Sequence, residues 1–381
     1  MSQTEKINCV IMRGGTSKGI FLKVNDLPGN VEQRDQRICE IFGSPDVRQI
    51  DGLGGADALT SKLAIIAPPT RPDADVDYTF GQVSITKPYI DYSGNCGNIS
   101  AAVGPFAIDE GLVRAQEGMT TVRIHNTNTK KLIIAEVPTV DGKAAVIGDC
   151  AIAGVPGTGA KIMLDYSDTA GAATGKLLPT GNVKDVLEIP GYGPVTVSIV
   201  DAANPVVYVA AKDLKLSGIE TPQEVDGNKE LLGLLEQIRG AAAVKIGMAK
   251  TPEDALANVP AFPMIAFVSP AADYKDFTTG KLISADDVDF VSRLMFMQKL
   301  HKTYAGTATI CTGAAAKITG SVVNEMIADV DKKSFIRIGH PAGVIDVEVA
   351  VEEKNGQTVL KRAAMSRTAR RIMEGYVYVR K

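Results

Sequence analysis

Apolar residues along the chain fall mainly into short runs of β-branched and aromatic side chains. INCVIM, GIFLKV, KLAIIA, YTFGQVSI and KLIIAEV lie in the first half, and VTVSIV, NPVVYVA, FPMIAFV and VIDVEVAV in the second. Gly, Pro, Asp or Asn bounds each run, so each predicts a β-strand. Helical spacing is rarer and covers residues 31–43, 98–112, 228–246, 285–303 and 312–328. Many strands with few helices predict an α+β chain rather than a doubly wound parallel sheet.

The pattern also repeats. GIFLKVNDL ends at Leu27 and PVVYVAAKDL at Leu214, an offset of 214 − 27 = 187. KLAIIAPP (62–69) resembles MIAFVSPA (264–271). The surroundings of Cys96 resemble those of Cys311, an offset of 311 − 96 = 215, and His125 and His340 keep it, 340 − 125 = 215. Four matches in one order predict two similar domains related by a pseudo-twofold axis. The expected break lies in GKLLPTGN, giving an N-terminal domain 1–183, to which 374–381 returns, and a C-terminal domain 184–373. Each would carry a cysteine just before the N-terminus of its own helix, with the active site in the cleft between them.

Composition narrows the function by exclusion. A net charge of −3, from 41 basic and 44 acidic residues, gives no basic face for nucleic acid or an anionic membrane. No apolar run reaches the roughly 20 residues of a bilayer span, and the polar start MSQTEKINCV is no signal peptide. Five cysteines without a CxxC pair argue against a disulfide scaffold or structural zinc and for a reducing, cytoplasmic setting. The three histidines share no metal-ligand spacing, so no metal is expected.

Candidate chemistry gathers at the expected helix starts. A helix N-terminus offers unpaired N–H groups and about half a positive charge, which suits a small molecule with two or more carboxylates. Cys96 sits in the polar turn NCGN beside Gly97 and Asn98, where packing is a less natural role than proton transfer. Cys311, before Thr312 and Gly313, is either core or substrate-lining. MRGGTSKG lacks phosphate-loop spacing, which argues against ATP. Its Thr16 and Ser17 hydroxyls could hold a carboxylate instead. Lys62 opens an apolar strand, either at its exposed end or aimed into the cleft, where an amine stripped of water is a usable base. His301 and His340 are candidates for a carboxylate, whereas His125 reads as structural.

The segments MRGGTSKG, GSPDVRQIDGLGGADALTSKLAII, NCGNISAAVGPFAIDEGLV, LHKTYAGTATICTGAAAKI, RIGHPAGVIDVEV and RTARRIMEGYVYV together resemble the methylaconitate isomerase family. That resemblance runs from about residue 7 to the C-terminus. It implies a diaminopimelate epimerase-like fold, each domain wrapping a curved sheet around a central helix. It also implies a cofactor-independent allylic isomerase of unsaturated di- or tricarboxylates, with Lys62 and Cys96 as base and acid. Thr16, Ser17 and the N–H groups around Gly97, Asn98, Thr312 and Gly313 would hold the carboxylates, and His301, Cys311 and His340 would line the site. Within the family the resemblance is greatest to members that convert 3-methylitaconate to 2,3-dimethylmaleate. Other members act on 2-methylaconitate or oxalomesaconate-type acids. Two other classes stay open: an amino-acid racemase or epimerase using Cys96 and Cys311, and a non-catalytic polycarboxylate-binding protein. A homo-oligomer is also left open.

Overall fold

The computed structural model describes residues 3–354 and 357–380. It divides the chain into two units: one runs to Leu164 and resumes at Arg367, and the other is Asp165–Ser366.

In the first unit, β1 (Thr4–Gly14) and β2 (Ser17–Lys23) form an antiparallel hairpin. Gly15 and Thr16 close it, with Gly15 at φ 51°, a left-handed conformation that favours glycine. β3 (Lys62–Ala67) lies parallel to β2, with Lys62 opposite Gly19. β4 (Val76–Val83) runs antiparallel to β3, and the short β5 (Ile90–Asp91) pairs with β4. β6 (Gly118–Asn126) lies parallel to β4 and forms a hairpin with β7 (Lys131–Val140). The C-terminal strand Ala369–Arg380 pairs with β1 from Gly14 to Thr4.

Strand alternation splits the side chains between two layers. Ile20, Leu22, Leu63, Ile65, Val83 and Ile90 pack with Ile38, Ile41 and Phe42 of helix α1 (Val31–Phe42). The opposite face meets helix α2 (Gly97–Asp109), where Phe21 lies 5.4 Å from Phe106. The sequence NISAAVGPFAI carries no charge on any side, so α2 can be enclosed by its sheet. Gly104 permits a close approach: a Cβ there would stand 2.8 Å from Val137 Cγ2.

The second unit repeats the plan. Asn204–Ala210 and Met264–Pro270 form the parallel pair, with Val206 opposite Met264. Phe290–Phe296 is antiparallel to the latter, and Phe335–His340 lies parallel to Phe290–Phe296. Helices α3 (Pro222–Gly227), α4 (Lys229–Lys245) and α5 (Pro252–Asn258) precede Met264. Helix α6 (Gly306–Lys317) is enclosed as α2 is, and a Cβ on its Gly313 would stand 2.6 Å from Val347 Cγ1. An identical clamp joins the parallel strands of both units. Asp75 Oδ2 accepts the Arg123 N–H at 2.8 Å while Arg123 Nη2 reaches Asp75 Oδ1 at 2.7 Å. Asp289 and Arg337 make the same two bonds at 2.7 and 2.9 Å.

The structure corrects the sequence reading at four segments. Residues 285–303 are a strand and turn, not a helix: Met297 and Gln298 both have positive φ, a hairpin turn without its usual glycine signal. The helix expected at 312–328 starts instead at Gly306, after Ala305, which offers no capping side chain. Segment 165–183 belongs with the second unit, where Gly171 N–H donates to Asp201 O and Ala203 N–H to Thr169 O. Residues 367–373 belong with the first, and Lys381 lies outside the described residues. Among the described residues no helix is long and apolar enough to cross a membrane.

Candidate active site

Six of the expected residues meet in the first unit. Lys62 and Gln82 are directly opposite across β3 and β4, and Gln82 and Asp91 across β4 and β5, so all three project from one face. Gly19 stands opposite Lys62, and a Cβ on Gly19 would lie 2.9 Å from Ile99 Cδ1 in the first turn of α2. That face is therefore the α2 face. Lys62 is only 3% exposed; its Nζ donates to Gln82 Oε1 at 2.9 Å and lies 5.4 Å from the centre of the Phe80 ring. Gln82 is fixed from behind, since its Nε2 donates to Ala58 O and Ser61 O at 3.2 and 3.1 Å. Its oxygen must consequently face the amine.

Cys96 is the N-cap residue of α2, with extended φ −117° and ψ 103°, and its side chain does not cap the helix. Asn95 Oδ1 accepts the Cys96 N–H at 2.7 Å, and Cys96 O accepts both the N–H and the hydroxyl of Ser100 at 2.9 Å. The thiol thus sits on a fixed backbone at the positive end of a buried helix, 8% exposed.

The β1–β2 turn packs against the same helix end. A Cβ on Gly14 would stand 2.4 Å from Asn98 O. Ser17, opposite Gly14, points to that side; it is 2% exposed and its Oγ has no hydrogen-bond partner among the described residues. Asn98 Nδ2 donates to Thr16 Oγ1 at 3.0 Å, and Arg367 Nε donates to Asn98 Oδ1 at 3.0 Å. Because a guanidinium only donates, this contact fixes which way the Asn98 amide faces.

The second unit places its candidates differently. Cys311 is not ahead of its helix but its sixth residue, fully buried, donating to Val200 O at 3.1 Å. Burial pushes its thiol up from 9.0 to about 12. The N–H groups of Thr312 and Gly313 are inside α6, where the helix itself takes them up. Thr312 Oγ1 bonds the Tyr208 and Tyr304 hydroxyls, each at 3.0 Å, and Gly313 is the packing counterpart of Gly104, 313 − 104 = 209. The residue matching Cys96 is then Ala305, since 305 − 96 = 209 as well. His301 is buried, its Nδ1 accepting the Thr303 N–H at 3.2 Å. His340, also buried, accepts the Ala342 N–H at 3.2 Å. His125 pairs with Asp77 at 2.9 Å, the structural role expected of it.

Three residues of the site were not singled out from sequence. Gln82 is a polar residue at an inward position of a strand, a signal available in YTFGQV. Asn95 was read only as polar surroundings, and Arg367 only as part of a longer motif.

The profile described as "PrpF protein" matches residues 4–380. The chain is 65% identical to the 3-methylitaconate isomerase of Eubacterium barkeri, covering 100% of this chain and 99% of that protein. It is 40% identical to the 2-methyl-aconitate isomerase of Shewanella oneidensis, covering 99% and 97%. A crystal structure of methylitaconate-delta-isomerase superposes with a TM-score of 0.83 at 64% identity, covering 100% of this chain and 97% of the other. A probable proline racemase from Agrobacterium radiobacter shares the fold alone, with a TM-score of 0.56 at 13% identity over 97% and 92%. The architecture is the α+β, diaminopimelate epimerase-like one, and over nearly its whole length the chain belongs to the PrpF protein family.

Proposed function

We propose that the protein is a cofactor-independent allylic isomerase of small unsaturated dicarboxylates, converting 3-methylitaconate to 2,3-dimethylmaleate. The observation that carries this reading is a buried lysine held on the same sheet face as the start of the helix that Cys96 caps. Identity of 65% to a 3-methylitaconate isomerase supports the choice of acid.

In the proposed reaction the Lys62 amine takes the C–H proton α to one carboxylate. The released electron pair spreads through the double bond, and charge collects on a carboxylate oxygen. The N–H groups at the start of α2 and the hydroxyls of Thr16 and Ser17 stabilise that charge without reorganising. The Cys96 thiol then protonates the terminal methylene, making a methyl group. Return of the proton from Lys62 to Cys96 through solvent restores both groups. Atoms and electrons balance within the substrate, so no redox or group-transfer partner is called for. Five free thiols suit the reducing cytoplasm, where we place this chemistry.

Proton NMR in D₂O tests the reading, with 3-methylitaconate in one tube and 2-methylaconitate in another. Loss of methylene signals with growth of dimethylmaleate methyl signals supports it. Turnover of methylaconitate alone would keep the chemistry and move the substrate to that of the 40% identical relative. No reaction and no solvent exchange in either tube would overturn it.

A further inference from the structure

We infer that Gln49 is a positioning residue, acting through Ser61 and Gln82 to fix the direction of the Lys62 amine. This rests on the function proposed above. Residues 43–61 link α1 to β3 within the motif GSPDVRQIDGLGGADALTSKLAII, yet their side chains take no direct part in the proposed proton transfer. Gln49 lies inside this loop, 2% exposed. Its Nε2 donates to Ser44 Oγ at 2.9 Å, and its Oε1 accepts the Ala56 N–H at 2.7 Å and the Ser61 hydroxyl at 2.6 Å. The loop is drawn closely round this amide: a Cβ on Gly54 would stand 2.3 Å from Gln49 Oε1.

From Ser61 the connection runs on to the lysine. The Ser61 carbonyl accepts from Gln82 Nε2 at 3.1 Å, and Gln82 Oε1 accepts from Lys62 Nζ at 2.9 Å. Ala58 O, the other acceptor of Gln82 Nε2, lies in the same loop. Backbone strain marks the start of this path. Gln49 and Ala56, joined by their hydrogen bond, both hold left-handed backbone, with φ 47° and 55°. Residues with a Cβ adopt that conformation only where the surroundings dictate it, and such positions cluster at functional sites. The second unit offers the contrast. Its strand Met264–Pro270 matches β3 but opens with methionine, and among the described residues 248–263 none has a positive φ. The strained approach accompanies the lysine.

The test is a double-mutant cycle in the full chain, read as turnover of whichever acid the unaltered protein accepts, with melting temperature as the folding control. Gln49→Met keeps the side chain's length and removes its hydrogen bonds. It should lower kcat by about tenfold, within the roughly 10²-fold that a misplacement of about 1 Å can cost, while KM changes little. In the Gln82→Met background the same change should cost less than about twofold, because residues acting through one link are not additive. A residue that only stabilises the fold would cost the same factor in both backgrounds, and that result overturns the inference. So does a rise in KM with kcat unchanged, or a kcat within about twofold of the parent. Should Gln49→Met fail to fold, Ser61→Ala cuts the same link. It should lower kcat by about fivefold, the effect of losing an ordinary hydrogen bond, and again by less than about twofold beside Gln82→Met. Should the unaltered protein turn over neither 3-methylitaconate nor 2-methylaconitate, the functional reading fails. A crystal structure of whichever variant folds then decides the positioning alone: Lys62 Nζ displaced from Gln82 Oε1 supports it, and an unchanged contact overturns it.

Discussion

The two units share a frame and differ in what they place on it. Both have the parallel strand pair, the Asp–Arg clamp and a glycine where the enclosed helix meets the sheet. On that frame the first unit carries Lys62, Gln82 and Cys96. The strand register and the helix starts put Met264, Phe296 and Ala305 at the matching positions of the second. Framework and side chains have thus separated: one copy carries the lysine, glutamine and cysteine of the proposed acid–base site, and the other carries apolar residues in their place. This weakens the two-cysteine racemase reading, because the helix start of the second unit carries no thiol. Its cysteine lies deeper, with the proton held by burial up to about pH 12.

Exchanging matching residues should break the comparison most visibly. Lys62→Met gives the first unit the side chain found in the second. It should reduce turnover by about 10³-fold, within the usual range for loss of a general base, with no loss of melting temperature. Met264→Lys should do the reverse. It puts a charge into a position 2% exposed, so it should lower the melting temperature without moving the chemistry. Steady-state rates and calorimetry on the two variants suffice, and Lys62→Met retaining a tenth of the activity would sink the assignment.

A smaller effect is expected one residue behind the lysine. Gln82 Oε1 holds the Lys62 amine while its Nε2 is taken up by the Ala58 and Ser61 carbonyls, so we assign it as a positioning residue. Gln82→Met should lower kcat by about 10- to 100-fold while KM changes little, the pattern of a lost transition-state contribution. A rise in KM with kcat unchanged would instead make Gln82 part of the binding surface.

How much of this was readable from the residues depends on where the signal lay. The strand runs were legible because β-branched alternation is local, and the 62/264 match was correct because both segments start the same parallel strand. The helix match failed by six residues, because it aligned cysteine with cysteine. Cys311 actually corresponds to the core residue Ala102, and the register is set by packing glycines. The 285–303 segment misled for another reason: a Met–Gln turn with two positive φ values has no glycine to announce it. Cys96 stood out in its polar turn and Lys62 at the start of an apolar strand, and the family motifs added their pairing as acid and base. Arg367 reaches Asn98 from 269 residues away, a proximity that the returning C-terminal strand creates.

Sharper tests of the shared frame follow from the two glycines. Gly104→Ala and Gly313→Ala each drive a methyl group into a valine, at 2.8 and 2.6 Å. Each should lower stability by about 1–3 kcal/mol, the usual range for overpacking, measured by denaturant unfolding. Comparable losses would show that both serve helix–sheet packing. An effect of Gly313→Ala on rate but not on stability would return that residue to the binding site.

The smallest effect concerns the thiol that the second unit retains. In the folded chain Cys311 keeps its proton up to about pH 12, whereas its ordinary value is 9.0. Below pH 9 both folded and unfolded chains hold this proton, and its contribution to stability is fully present. Between pH 9 and 12 the unfolded chain releases a proton that the folded one retains, so stability falls as pH rises. Cys311→Ala should therefore fall less steeply across that window. Cys9 and Cys39, also raised by burial, remain in both proteins and cancel in the difference. At neutral pH the variant should isomerise within about twofold of the parent, because buried substitutions away from a site act mainly on stability. Parallel pH curves would contradict the buried thiol, and loss of turnover without loss of fold would bring back a reaction that uses both cysteines.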